Sequence, residues 1–162
     1  MQIKKISTLS ALLTLSLICS YIESLIPFYF GVPGMKLGLT NLVIVFLLYS
    51  YSFKEALAVN VARILLTGFL FGNLFGILYS LAGALLSLVM MALIQRTKKF
   101  SVIGVSVCGG VTHNIGQLLM AMMIVENYRV SFYLPVLIVA GCLMGALIGI
   151  AANEVIRRVH VT

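Results

Sequence analysis

The sequence predicts an all-α membrane protein, a polytopic bundle of six transmembrane helices that forms one domain over residues 1–162. Three observations favour this fold class. Hydrophobic residues make up 62% of the chain and charged residues only 9%, whereas soluble domains carry about 25% charged residues. The mean hydropathy is +1.16. The apolar residues fall into six runs bounded by charges, glycine or proline. This composition argues against a soluble domain, a disordered chain and a nucleic-acid-binding module.

The first apolar run, at about 6–26, resembles a secretory signal because Lys4 and Lys5 precede it. It continues to about Pro27, and about 20 apolar residues are enough to cross a bilayer. We therefore predict that this run is the first membrane helix.

The five remaining runs differ in length. The runs at about 38–51 and 55–71 are short, and an alternative to two spans is a re-entrant pair that enters the membrane and returns on the same side. The runs at about 73–94, 101–125 and 132–156 are long enough to span. Whether these two runs span the membrane or form a re-entrant pair, the other helices keep the same orientation in the membrane.

The basic residues are unevenly divided between the two sides of this topology. With the N-terminus inside, only Lys36 and Arg129 lie outside, while Arg63 lies within a helix. Cytoplasmic loops carry the excess of Lys and Arg in membrane proteins. We therefore predict a multi-pass membrane protein with both termini in the cytoplasm. The residues on the predicted cytoplasmic side are Lys4, Lys5, Lys54, Arg96, Lys98, Lys99, Arg157 and Arg158.

Arg63 and Glu23 are the two charged residues that lie away from the predicted cytoplasmic ends of the apolar runs. Arg63 is near the middle of the third run, with Asn60 and Thr67 at helical spacing on the same face. Glu23 lies near the outer end of the first run. Ionisable residues inside a membrane face a partner, a wet cavity or a ligand. One interpretation is a Glu23–Arg63 ion pair that fixes two helices, and the other is a ligand site.

The fifth run contains the densest group of polar side chains. His113 and Gln117 are four residues apart and share a helical face, with Asn114 beside them and glycines on either side. A single buried histidine is often a packing residue. The combination with two amides and flanking glycines favours ligand binding.

Further polar residues lie at the outer ends of the second and fourth runs. Lys36 and Asn41 flank the start of the second helix, where unpaired N–H groups favour anions, and Asn73 opens the fourth run. The connection at about 27–38 contains Pro, Gly and aromatic residues and is predicted to fold over the helix ends. We infer a pocket open to the outside that binds a small molecule with an anionic group and an apolar part.

Small residues recur every four positions in two runs, as they do where membrane helices pack closely. We predict internal packing for both rows, with a dimer face as the alternative for the second. The rows are Gly72, Gly76, Ser80 and Ala84 in the fourth run, and Gly141, Gly145 and Gly149 in the sixth.

The sequence lacks the residue patterns that several kinds of catalytic and metal site require. The chain contains no Asp and only four Glu, so an Asp-rich magnesium site is not possible. No phosphate-binding Gly-rich loop is present. The three cysteines are scattered, which indicates neither a zinc site nor disulfides. We predict no catalytic residues, no metal and no cofactor, and therefore no enzyme activity by this chain alone.

The stretches GMKLGLTNLVIVFLL, GNLFGILYSLAGALLS and GGVTHNIGQLL resemble the bacterial Gx transporter family, whose other name is heptaprenyl diphosphate synthase component I. The family is similar to the S-components of energy-coupling-factor transporters. That similarity implies capture of a vitamin or precursor from outside, and partners that comprise a transmembrane coupling subunit and two ATPases. It also implies docking through small residues on the first helix, here Ser7, Ser10, Ala11 and Thr14.

The family's other name implies a different partner, a soluble Asp-rich synthase, and a link to the isoprenoid chain of menaquinone. Three hypotheses follow. The chain is an S-component-like uptake subunit for an anionic, isoprenoid or quinone-related molecule, a non-catalytic membrane subunit of heptaprenyl diphosphate synthesis, or a structural membrane protein whose polar residues only fix helices.

Overall fold

The computed structural model describes residues 2–25 and 38–159. Within these ranges the chain is helical and contains no strand, which confirms the predicted all-α class. The helix bounds agree with the predicted runs to within a few residues, and a short 3₁₀-helix at Tyr128–Tyr133 is the one helical element that the sequence did not predict. The helices are α1 (Gln2–Leu25), α2 (Leu39–Ser50), α3 (Phe53–Phe71), α4 (Leu74–Arg96), α5 (Val102–Val125) and α6 (Leu134–Arg158).

Within residues 2–25 and 38–159, four stretches are long and apolar enough to cross a membrane: Ile3–Leu25, Leu74–Arg96, Val102–Val125 and Tyr128–Arg158. The protein is therefore a multi-pass membrane protein. The 12 residues of α2 extend only about 18 Å at 1.5 Å per residue, against a hydrocarbon thickness of about 30 Å. Six complete spans remain a prediction, because α2 is too short to cross unaided.

The helices follow one another up and down the bundle. Helix α5 packs between α4 and α6, α3 packs against α4, and α2 packs against both α3 and α6. These five helices form a ring. Helix α1 packs against α2 and α3 and so lies at the edge of the bundle.

One end of the bundle, here called the core end, is filled by apolar side chains. Buried residues of five helices meet there, including Leu47, Ala56, Leu88, Val105 and Ala152. Polar contacts support the same end, where the side chain of Gln95 donates to the carbonyl of Leu48 at 3.1 Å and Lys5 pairs with Glu55.

The eight basic residues predicted to be cytoplasmic all lie in the helix termini and connections of the core end. The opposite end is called the cavity end below. Placement of the core end in the cytoplasm remains a prediction from the charge distribution.

Helices α5 and α6 approach so closely that only glycine fits at their contact. A Cβ added to Gly145 would lie 2.7 Å from the Cα of Val107, and one added to Gly149 would lie 2.7 Å from the Cα of Ile103. Gly141 meets the backbone of Val111 in the same way. The predicted row in the sixth run therefore packs inside the bundle.

The contact between α4 and α5 uses other residues than the predicted row. A Cβ on Gly83 would lie 2.8 Å from the carbonyl oxygen of His113, and one on Gly116 would lie 2.7 Å from that of Ala82. Gly72 and Gly76 are exposed. The predicted row packs inside the bundle only in its second half, where Ala84 is buried and Ser80 lines the cavity. Helix α4 carries small residues on two faces, and periodicity alone does not distinguish them.

Candidate functional site

A cavity of about 560 Å³ lies in the cavity end of the bundle, and residues of all six helices line it. Its volume is within the range of small-molecule sites, about 300–1,000 Å³. Six of the eight residues predicted to bind a ligand line this cavity: Glu23, Asn41, Arg63, His113, Asn114 and Gln117.

Helix α2, with 12 residues, is shorter than its neighbour α3, with 19 residues. Arg63 lies ten residues after the start of α3 at the core end, and Thr40, near the start of α2, accepts a hydrogen bond from it at 3.3 Å. The first residues of α2 are therefore level with the middle of α3. Gly38, Thr40 and Asn41, at the start of α2, line the cavity at this level.

Arg63 connects the first three helices. Its side chain is 7% exposed. Nη1 donates to the hydroxyls of Ser20 and Thr40, each at 3.3 Å, and Nη2 donates to Oδ1 of Asn60 at 2.8 Å. Nε is buried without a hydrogen-bond partner. Because every one of these acceptors is neutral, the guanidinium keeps its positive charge available to an anionic neighbour.

Glu23 supplies that neighbouring charge, but its hydrogen bond goes to a helix terminus. Its Oε1 accepts from the backbone N–H of Leu39 at 2.5 Å, at the positive end of α2. Its carboxylate also attracts Arg63 electrostatically. The predicted direct ion pair between the two is therefore replaced by a carboxylate that caps α2 while acting on Arg63 through space.

The charges of the described lining residues balance, with one arginine and one glutamate. The sequence predicted an excess of positive charge, which depended on Lys36. Lys36 and the predicted loop over the helix ends at 27–38 lie outside the described residues, apart from Gly38. Gly38 itself lines the cavity and precedes α2 with a φ of 76°, a conformation that favours glycine.

Helix α5 presents a polar stripe to the cavity. His113, Asn114 and Gln117 line it together, as their spacing predicted. Nδ2 of Asn114 donates to the carbonyl of Leu137 at 2.8 Å and so fixes α5 to α6. The Cγ of Gln117 packs against Gly83 on α4, which positions the amide at the end of that side chain.

A second wall of the cavity is apolar and comes from α6. Its residues include Val136, Val139, Leu143, Met144 and Ile148. The sequence analysis did not predict this wall. A signal was available, because the residues that directly precede the three packing glycines of α6 are Ala140, Met144 and Ile148, and all three line the cavity.

Other predicted site residues lie elsewhere. Asn73 is exposed and caps α4 by accepting from the backbone N–H of Gly76 at 2.8 Å, and it is not among the residues that line the cavity. In the described ranges, no three His, Cys, Asp or Glu side chains are grouped as metal ligands would be. The predicted docking residues Ser7, Ser10, Ala11 and Thr14 are exposed on α1.

Comparison with known proteins identifies the family. A family model described as heptaprenyl diphosphate synthase component I matches residues 12–155. Neither a curated protein nor a solved structure matches the chain. The matched region contains the stretches around Asn41 and His113 that carried the predicted resemblance. Because the match covers most of the 162 residues, the chain belongs to the heptaprenyl diphosphate synthase component I family.

Proposed function

We propose that this chain is a non-catalytic membrane subunit that binds a small amphiphilic molecule in the cavity. The observation that carries the proposal is the arrangement of the walls. The polar stripe of α5 and Arg63 of α3 face the same space as the apolar side chains of α6. Pockets that combine an apolar wall with a few convergent polar groups bind ligands with a polar head and an apolar part.

The residues favour binding over catalysis. Glu23 is the one acid among the described lining residues, and it is occupied with the N-terminus of α2. The sequence contains no Asp, so the carboxylates that would hold magnesium on a diphosphate must come from another protein. As a member of a synthase-component family, this chain fits the role of an accessory subunit.

The family and the site together favour an isoprenoid or quinone-related ligand. The family name refers to a heptaprenyl diphosphate synthase, whose product contains an isoprenoid tail. An apolar wall along α6 accommodates such a tail, and the amides of Asn41 and Gln117 accommodate a polar head. An anionic head remains an alternative that depends on Lys36.

The test is mass spectrometry of molecules that remain bound to gently purified protein. Gln117→Met keeps the length of the side chain and its packing on Gly83 but removes the amide. Thr112→Val is the matched control, since Thr112 is on the same helix and is not among the lining residues. We expect an isoprenoid or quinone-like molecule in the parent and the control, and its loss from Gln117→Met.

Bulk lipid alone in all three proteins would contradict the proposal and favour a structural role. Retention of the molecule by Gln117→Met at the parent level would leave the polar stripe of α5 without a binding function.

Two assemblies can use such a subunit, and a specific observation favours each. Family membership favours association with a soluble prenyl diphosphate synthase. The exposed small residues of α1, at the edge of the bundle, favour docking to a membrane partner such as a coupling subunit of an uptake system. Affinity purification separates them. An Asp-rich synthase among the co-purified proteins supports the first assembly, and a coupling subunit with ATPases supports the second.

A further inference from the structure

The cavity is elongated along the axes of α5 and α6. On α5 its lining residues extend from Gln117 to Ser106, which is about 17 Å at 1.5 Å per residue. On α6 they extend from Pro135 to Ile148, which is about 20 Å by the same measure. The cavity therefore has two ends that are well separated along these helices.

Ser106 and Ile148 lie together at one of these ends. A Cβ added to Gly149, the residue after Ile148, would lie 3.0 Å from the Cβ of Ser106. Because α5 begins and α6 ends at the core end of the bundle, this is the end of the cavity that points toward the core. It is called the inner end below.

The inner end is closed by the packed core. Ser106 and Ile148 are only 3% and 6% exposed. Val105, which precedes Ser106, and Ala152, one turn beyond Ile148, are fully buried in the apolar cluster of the core end. Leu47 of α2 belongs to the same cluster and is also fully buried. A ligand that extends inward therefore meets close-packed side chains beyond Ser106 and Ile148.

The half of the cavity next to the inner end is mostly apolar and is lined by small residues. Small side chains leave space between helices, and apart from the hydroxyl of Ser106 no polar side chain of α5 or α6 lines this half. The amide of Gln117 lies at the other end of the α5 face. An amphiphile therefore fits with its apolar tail inward and its polar head near Gln117. The residues of α5 and α6 that line the inner half are Ser106, Gly110, Gly141, Met144, Gly145 and Ile148.

We propose that the closed inner end limits the length of the isoprenoid tail that the cavity accepts, with Ser106 and Ile148 as the residues that set this limit. The inference rests on the proposed function and adds the orientation and the length of the ligand. It assigns to Ile148 a role in specificity, because its side chain occupies the space that a longer tail would need.

The limit follows from the dimensions of the cavity. An extended chain gains about 3.5 Å for every three bonds, so an isoprene unit with its four bonds adds about 5 Å by the same measure. Three units extend about 14 Å and four units about 19 Å, against about 17 Å between Gln117 and Ser106. A tail of three units therefore fits, and the fourth unit meets the core.

This limit distinguishes the closed inner end from a site without one. Where nothing stops the tail, a longer tail buries more apolar surface and binds more tightly. At a closed end the extra unit must displace packed side chains, which is unfavourable. The inference therefore predicts that binding weakens from 15 to 20 carbon atoms, where the hydrophobic effect alone predicts that it strengthens.

The test compares radiolabelled farnesol, with three isoprene units, and geranylgeraniol, with four, as ligands of the purified protein in detergent micelles. Specific binding is the part that excess unlabelled farnesol displaces. Ile148→Ala enlarges the inner end, and Ile148→Val does so by a single methyl group. Leu147→Ala is the matched control, because Leu147 is adjacent on α6, is 61% exposed and is not among the lining residues.

We expect the parent to bind farnesol at least tenfold more tightly than geranylgeraniol. Ile148→Ala should reduce this preference at least threefold, Ile148→Val should reduce it less, and Leu147→Ala should leave it unchanged. Partition of the probes into the micelles is the same for all four proteins and cancels in this comparison. If Ile148→Ala did not fold, Ile148→Val would decide the outcome.

Equal or tighter binding of geranylgeraniol by the parent would overturn the length limit while the proposed binding function stands. An unchanged preference in the folded variants at position 148 would overturn the role of Ile148 in the same way. If the parent bound neither probe, the proposed isoprenoid ligand would be wrong and the length limit with it.

Discussion

Because α5 and α6 are in close contact, the addition of a single methyl group at this contact should force the two helices apart. In Gly149→Ala the new Cβ would lie 2.7 Å from the Cα of Ile103 and 3.0 Å from the Cβ of Ser106. The first neighbour is backbone and cannot turn away, so the helices must move apart. Gly149 is not among the residues that line the cavity, and the effect should therefore appear in stability and not in ligand contacts.

The expected size follows from two opposing terms. Alanine gains up to about 1 kcal/mol over glycine inside a helix. Overpacking of a close contact costs about 1–3 kcal/mol and occasionally more. Because the clash is with backbone, we expect the upper part of that range and a net loss of about 1–2 kcal/mol in the free energy of unfolding.

Gly104→Ala is the matched control on α5. Its Cβ would meet Phe100 at 3.5 Å, an ordinary contact, so only the gain in helix propensity remains. Helicity measured by circular dichroism during titration of mixed micelles with sodium dodecyl sulfate gives the free energy of unfolding of each variant. If Gly149→Ala proved as stable as Gly104→Ala, the close approach of α5 and α6 would be refuted.

Two further predictions concern the first helix. Glu23→Gln keeps an acceptor for the N–H of Leu39 but removes the negative charge beside Arg63. We expect the free energy of unfolding to fall by about 1–3 kcal/mol in the same assay. An unchanged free energy of unfolding would show that the charge of the carboxylate is not needed there. Ser10→Leu alters an exposed position of α1, so the free energy of unfolding should stay within about 0.5 kcal/mol of the parent value. The amount of the partner protein that co-purifies should decrease. An undiminished partner would place docking on another surface.

The sequence predicted the helices well because their boundaries have local causes. The N-caps of α3, α4 and α5 are Ser52, Asn73 and Ser101, whose side chains accept from backbone N–H groups of the first turn. Apolar runs between such residues are long enough to identify without tertiary information. The polar stripe of α5 was predicted for the same reason, since His113 and Gln117 share a face by helical geometry alone.

What the sequence could not predict depends on how helices are rotated about their axes. The choice of Gly83 over Gly76 at the α4–α5 contact is decided by the neighbouring helix, and both glycines fit the periodicity. The sequence also could not predict that Glu23 on α1 caps α2, because these two helices are brought together only by tertiary packing. The apolar wall of α6 was missed because its residues are ordinary lipid-facing side chains until a cavity forms behind them.

The helices within each half of the bundle are joined by different kinds of contact. Helices α1, α2 and α3 are joined by buried polar contacts centred on Arg63, which reaches Ser20 on α1 and Thr40 on α2. Helices α4, α5 and α6 are joined by close glycine contacts, with hydrogen bonds from Ser87 and Asn114 across their interfaces. The cavity lies between these halves, with Arg63 on one side and the α5 stripe and α6 wall on the other.

This division explains why a ligand should matter for the stability of the whole bundle. A molecule in the cavity contacts both halves at once, and binding to the folded state alone stabilises it by about 2.7 kcal/mol at a concentration 100 times the dissociation constant. The glycine contacts of α4, α5 and α6 do not depend on such a molecule. The polar contacts around Arg63 border the cavity directly, so the first three helices gain most from its occupation. Ligand-dependent protection from hydrogen exchange should accordingly be larger in α2 and α3 than in the α5–α6 interface, and equal protection in both halves would contradict this division.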